Sequence, residues 1–162
     1  MIRKALKKVS KNKKLQQFIK KYHISPEYLS TNRRMVSNAV FVGLFIAMIP
    51  MPMQMAAVIT MMPLLKFNVP IALAMCWLTN PFTMPPLYYI EYLTGSFFLG
   101  TKIEEVEISM EWFTNNIDNI FIPLYVGTAF YSVVVSIGGY LLVNYLWERS
   151  VRADRQKHRK HR

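Results

Sequence analysis

The sequence predicts an all-α integral membrane protein, and three observations carry that expectation. Residues 36–100 are almost wholly apolar yet are interrupted at Ile49-Pro50-Met51-Pro52-Met53-Gln54-Met55 and at Thr79-Asn80-Pro81-Phe82-Thr83-Met84-Pro85-Pro86. A second apolar run, Ile120 to Trp147, has no such amide-proline interruption. Basic charge is confined to the two ends, with 11 Lys and Arg in residues 1–34, 7 in residues 148–162, and only Lys66 and Lys102 between. The expected architecture is therefore half-helices broken at Pro/Asn motifs, including a re-entrant hairpin, then an amphipathic surface helix and a C-terminal transmembrane helix. The division expected is 1–34 basic cytoplasmic segment, 35–100 broken-helix membrane core, 101–119 acidic amphipathic outer segment, 120–147 transmembrane helix and 148–162 basic cytoplasmic tail.

Along residues 2–22, Ile2, Leu6, Val9, Leu15, Phe18, Ile19 and Tyr22 recur among basic neighbours at loosely helical spacing. This reads as a basic helix lying on the cytoplasmic face, with a solvated basic tail as the alternative. Ser25-Pro26-Glu27 is a helix-start pattern: a Ser cap, Pro at the first helical position and an acid in the first turn. The helix so begun is expected to run past Arg33 and Arg34, enter the membrane at Met35 and end near Pro50, because the residue before a proline is pushed out of the helical region.

From Val36 to Ile49 a helix is about 21 Å long, short of a hydrocarbon core of roughly 30 Å. After Pro50 and Pro52 the chain is expected to return as Met55 to Leu65, with Lys66 and Asn68 meeting cytoplasmic water. Pro70 then opens a new half-helix, Asn80-Pro81 interrupts it, and Met84 to Gly100 completes a crossing that carries Tyr88, Tyr89 and Tyr92. Two full crossings are expected, 71–100 and 120–147, with the hairpin at 36–65. The competing topology makes 36–65 a single kinked span.

Segment 103–119 differs in kind. Ile103, Val106, Met110, Phe113, Ile117 and Ile120 recur at three- and four-residue spacing with acids opposite, the pattern of an amphipathic helix on the outer surface. Ile120 to Trp147 makes a helix of about 42 Å, enough to span with tilt, and Tyr140, Tyr145 and Trp147 form an aromatic anchor beside Glu148-Arg149. Residues 152–162 are too charged to be expected to fold alone.

Charge sets the orientation. The net charge of +11 belongs to the tails, while six of the nine acids lie between residues 35 and 147. The positive-inside tendency places both termini in the cytoplasm. Anionic lipid headgroups are the expected partners of the tails, and nucleic acid is not, since no stacking aromatics or recognition motif accompany the basic runs. Cys76 is the single cysteine, which rules out an intrachain disulfide. The first apolar segment reads as a retained anchor, not a cleaved signal.

The order Pro50-x-Pro52-x-Gln54, Asn68-x-Pro70, Asn80-Pro81-x-Thr83 and Tyr92-Leu93-Thr94-Gly95 resembles the prokaryotic membrane family known as domain of unknown function 2062. The likeness runs over roughly residues 25–147, and Asn-Pro-x-Thr is its most specific piece. It implies a small multi-pass inner-membrane protein and brings no established activity.

Among residues that carry chemistry, Glu91 stands out as the one acid between Met35 and Gly100. An acid at membrane depth marks a proton or cation site; a headgroup-level acid, or one tied to Lys66, Arg33 or a tyrosine hydroxyl, is the structural alternative. Gln54, Asn68, Thr79, Asn80 and Thr83 sit at or beside the breaks, where Pro50, Pro52, Pro70 and Pro81 interrupt the helices. They line a polar pathway where half-helices meet, or they cap the freed backbone. Met51-Pro52-Met53-Gln54-Met55 invites a Cu(I) reading, since thioethers suit soft metals. With no neighbouring Cys or His in sequence, no metal and no cofactor is expected. His23, His158 and His161 lie in basic flanks and read as surface residues. No Ser/His/Asp set, paired carboxylate site, phosphate loop or HExxH motif is present, so no enzyme activity is expected.

Two functions remain. One is a small permease or lipid-handling, flippase-like protein with its polar site at the breaks, Glu91 coupling to protons, and a homo-oligomer enclosing the path. The other is a membrane scaffold or accessory protein that binds anionic lipid or partner proteins through its basic tails.

Overall fold

The computed structural model describes residues 26–101, Ser109, Glu111 and 117–160. The basic helix of residues 2–22, the cap at Ser25 and most of the amphipathic 101–119 segment lie outside the described residues. Those described form a short 3-10 turn at Pro26–Leu29 and five α-helices, with no strand among them. The helices are α1 Arg33–Met48, α2 Gln54–Thr60, α3 Val69–Cys76, α4 Met84–Leu99 and α5 Ile117–Lys160.

The first long helix does not start at Ser25-Pro26. The Pro26–Leu29 turn ends, and α1 begins afresh at Arg33 with Asn32 as its cap, the Asn32 side chain accepting from the Met35 N–H at 2.8 Å. An Asn acceptor at that position satisfies one of the orphan amides of the first turn, and Ser30-Thr31-Asn32 was the stronger signal. At its other end α1 stops at Met48, with Ile49 extended before Pro50, as the pre-proline restriction requires.

The chain then doubles back. Asn38 donates to the Lys66 carbonyl at 2.9 Å, and Tyr28 donates to the Met62 carbonyl at 3.0 Å, so residues 62–66 return to the level where α1 began. The return is less helical than its sequence suggested: α2 has only 7 residues, and turns fill 61–64 up to and past Pro63. α3 starts where expected, with Asn68 accepting from the Ile71 N–H and Pro70 in the first turn. It packs so closely on α1 that a Cβ added at Gly43 would lie 2.6 Å from the Ala72 carbonyl oxygen.

α5 is the long strut of the fold, and both α1 and α4 pack along it. Along α1 the contacts are a half-exposed ion pair from Arg33 to Glu148 at 2.6 Å, a hydrogen bond from Ser37 to Asn144 at 3.0 Å, and an edge-on ring contact of Phe41 with Tyr140. The helix does not end at the aromatic anchor: it continues through the charged tail to Lys160. Once a helix is nucleated, each added residue costs little, so the tail extends a helix it could not start. The stretch Ile120–Ala153 is the one described helix long and apolar enough to cross a membrane, and only a third of its most apolar window is buried against protein.

Candidate functional site

Two proline breaks separated in sequence meet in the fold. At the first, Met53 adopts a left-handed conformation with φ 64°, the only described non-glycine residue to do so, and α2 starts from it. Gln54 turns back from the first position of α2 and donates to the carbonyls of Ala47 at 3.2 Å and Ile49 at 3.0 Å where α1 ends, the latter also accepting from the Met51 N–H. At the second break, Asn80 accepts from the N–H groups of Phe82 and Thr83, while Thr83 accepts from the Asn80 N–H and donates to the Leu78 carbonyl at 2.7 Å. This reciprocal capping holds the Asn-Pro-x-Thr loop ahead of α4.

One side-chain hydrogen bond joins the two: Thr79 donates to the Gln54 side-chain oxygen at 3.2 Å, and both residues are buried. Beside it opens a cavity of about 430 Å³, walled by residues 51–55 on one side and by Cys76, Trp77, residues 79–81 and Met84 on the other. No charged side chain lines it. The structure thus brings Gln54, Pro52, Asn80 and Pro81 together on this cavity. Thr83 stands behind it as part of the cap, and Pro50 is held from outside, its carbonyl accepting from the Tyr125 hydroxyl at 2.9 Å.

Asn68 and Pro70 lie elsewhere. The Asn68 side chain caps α3 and also donates to the Ser30 carbonyl at 3.1 Å, near the start of α1. Asn68 and Pro70 therefore belong to the opposite end of α1 from Gln54.

Glu91 occupies a third place, the crossing of α4 and α5. A Cβ at Gly95 would lie 1.7 Å from the Pro123 carbonyl oxygen, and one at Gly127 would lie 1.8 Å from the Glu91 carbonyl oxygen, so the two backbones touch only because these residues have no side chain. Glu91 is 2% exposed. One carboxyl oxygen accepts from the Thr128 hydroxyl at 2.8 Å, and the other is buried with no partner. Arg33, one of the partners foreseen for it, pairs with Glu148 instead, and the hydroxyl that bonds Glu91 belongs to Thr128.

The family model described as an uncharacterized protein conserved in bacteria, DUF2062, matches residues 16–156. The chain belongs to that family. No curated protein and no solved structure matches it. In this DUF2062 protein, Tyr125 and Thr128 are the functional neighbours that reading the sequence missed. They sit one turn apart on α5, one touching the first break and the other Glu91, and no pattern local to Ile120–Trp147 distinguishes them from other polar residues of that run.

Proposed function

We propose that this is a small multi-pass protein of the bacterial inner membrane, a permease or lipid-handling protein whose binding site is the cavity between the two helix breaks. The observation that carries the reading is the Thr79–Gln54 hydrogen bond, which ties two proline breaks into one open cavity. Broken helices whose ends converge are the usual way a membrane transporter assembles a polar site. The doubling back of residues 36–66 supports a re-entrant hairpin, since irregular backbone at membrane depth must pack on protein or line a wet space. α3 with α4 and then α5 supply the two full crossings, the basic ends face the cytoplasm and its anionic headgroups, and a homo-oligomer completes the path around so small a chain. Glu91, buried with one carboxyl oxygen unpartnered, is the group that couples to protons.

Thiol labelling tests this. In a Cys76→Ser background, Pro52→Cys and Asn80→Cys are probed in cells and inverted vesicles with an impermeant reagent. Labelling at both is expected; silence from both sides in folded protein sinks the reading. Glu91→Gln is expected to abolish flux while expression is kept, and a fully active Gln variant removes Glu91 from the mechanism.

One observation favours a scaffold that moves nothing. The amides at the breaks are all engaged in capping nearby backbone, which is what purely structural breaks need. Charge reversal of residues 1–22 separates the two, because a scaffold loses its location or partner and a permease keeps its flux.

A further inference from the structure

Five sulfur-bearing side chains line the break cavity. Met51, Met53 and Met55 come from the first break, while Cys76 and Met84 come from either side of the second. In sequence the methionine run stands alone; the fold brings to it a thiol and a fourth thioether. The rest of the lining offers hard ions only the neutral oxygens of Gln54, Thr79 and Asn80, which are already engaged in hydrogen bonds. No carboxylate, imidazole or ammonium faces the cavity, and among the described residues no group of three His, Cys, Asp or Glu could hold a metal. Neutral thioethers favour soft metal ions, whereas Mg²⁺ and Ca²⁺ ask for oxygen ligands.

Met53 sharpens the point. Its left-handed backbone disfavours any side chain, and at 77% exposure its thioether gains little from packing. Neither backbone preference nor packing against the protein accounts for methionine there, and strained residues of this kind collect at ligand sites.

We propose that the cavity binds a soft monovalent cation of the Cu(I) type, with the thioethers of Met51, Met53 and Met84 as ligands, Met55 at its rim and Cys76 as the one ionisable donor. This names a substrate class for the cavity and rests on the reading of it as an open site. The thiol now donates to the Gly43 carbonyl at 3.8 Å. On binding that contact breaks, a Cys76 sulfur–metal bond forms, the thiol proton leaves to solvent, and no electron moves. The single positive charge is then balanced inside an otherwise uncharged cavity.

Ag(I), which shares this chemistry without redox cycling, is the probe. Reduced, metal-free full-length protein in detergent is titrated with Ag(I) by calorimetry, and retained metal is counted by mass spectrometry. One ion per chain is expected. The combined Met51→Leu, Met53→Leu, Met84→Leu variant is expected to bind at least about 100-fold more weakly, since losing even an outer-shell partner costs roughly 10- to 100-fold, and Met62→Leu, outside the cavity, to bind as the parent does. Proton release into buffer is expected to vanish in Cys76→Ser. Folded parent protein that retains no Ag(I), or a triple variant that binds with parental affinity, overturns the proposal; unchanged proton release in Cys76→Ser overturns the part given to the thiol. The labelling at Pro52→Cys and Asn80→Cys keeps the two ideas apart. Labelled sites without Ag(I) binding leave the cavity and remove the cation, and unlabelled sites without binding remove both.

Discussion

The α4–α5 crossing and the break cavity both place polar groups inside apolar chain, and they do so by opposite means. At the crossing, two glycines let backbones touch, and the polar group is a carboxyl with half its oxygens satisfied. At the breaks, the polar groups are amides and hydroxyls bonded to nearby backbone, and the space beside them is open. The difference teaches where each region is vulnerable. The crossing depends on volume and on one distant partner; the breaks depend on local capping, which tolerates a loose surround.

The sharpest way to break that contrast is Gly127→Val. With a Cβ position 1.8 Å from the Glu91 carbonyl oxygen, the helices must separate, and a loss of about 3 kcal/mol or more is expected in unfolding in detergent. Unchanged stability would show that the crossing is not limited by volume. Next comes Thr128→Val, which preserves shape but removes the one hydrogen bond to Glu91. A cost of about 1–3 kcal/mol is expected, and most of it should return when Glu91→Leu is added, as a double-mutant cycle would read. At the breaks, Gln54→Leu strips donors from two carbonyls and an acceptor from Thr79. About 1 kcal/mol is expected, because the freed groups can turn to water in the cavity; a cost as large as that of Gly127→Val would make the breaks as rigid as the crossing. The smallest effect belongs to Arg33→Gln, which removes a half-exposed ion pair. About 0.2–1 kcal/mol is expected, fading as salt is raised.

The sequence made the breaks legible because proline and asparagine act on their own backbone. The stop of α1 before Pro50, the first-turn Pro70 and the Asn80–Thr83 cap all follow from residues within a few positions of one another. The start of α1 was misplaced for a similar reason: two cap patterns, Ser25-Pro26 and Asn32, compete within a few residues, and only packing of Tyr28 onto Phe67 and the Met62 carbonyl decides that the first becomes a mere turn. The tail beyond Arg152 is too charged to fold alone, and its helix exists as an extension of the one that precedes it. What joins the site together was not legible. Thr79 to Gln54, Thr128 to Glu91 and Tyr125 to Pro50 span 25, 37 and 75 residues, and periodicity reports only on one element at a time. The same holds for the sulfur cluster, in which Cys76 and Met84 look unremarkable until the two breaks meet.

The contact between Arg33 and Glu148 bridges 115 residues, which has a consequence for the order of biogenesis. α1 leaves the ribosome well before α5, and the residue that clasps its first turn is made only after α2, α3 and α4. Until then Arg33 and Ser37 have no α5 to meet. The closing clasp is therefore a late event of synthesis, and a nascent chain stalled before Glu148 should hold α1 less firmly than the finished one.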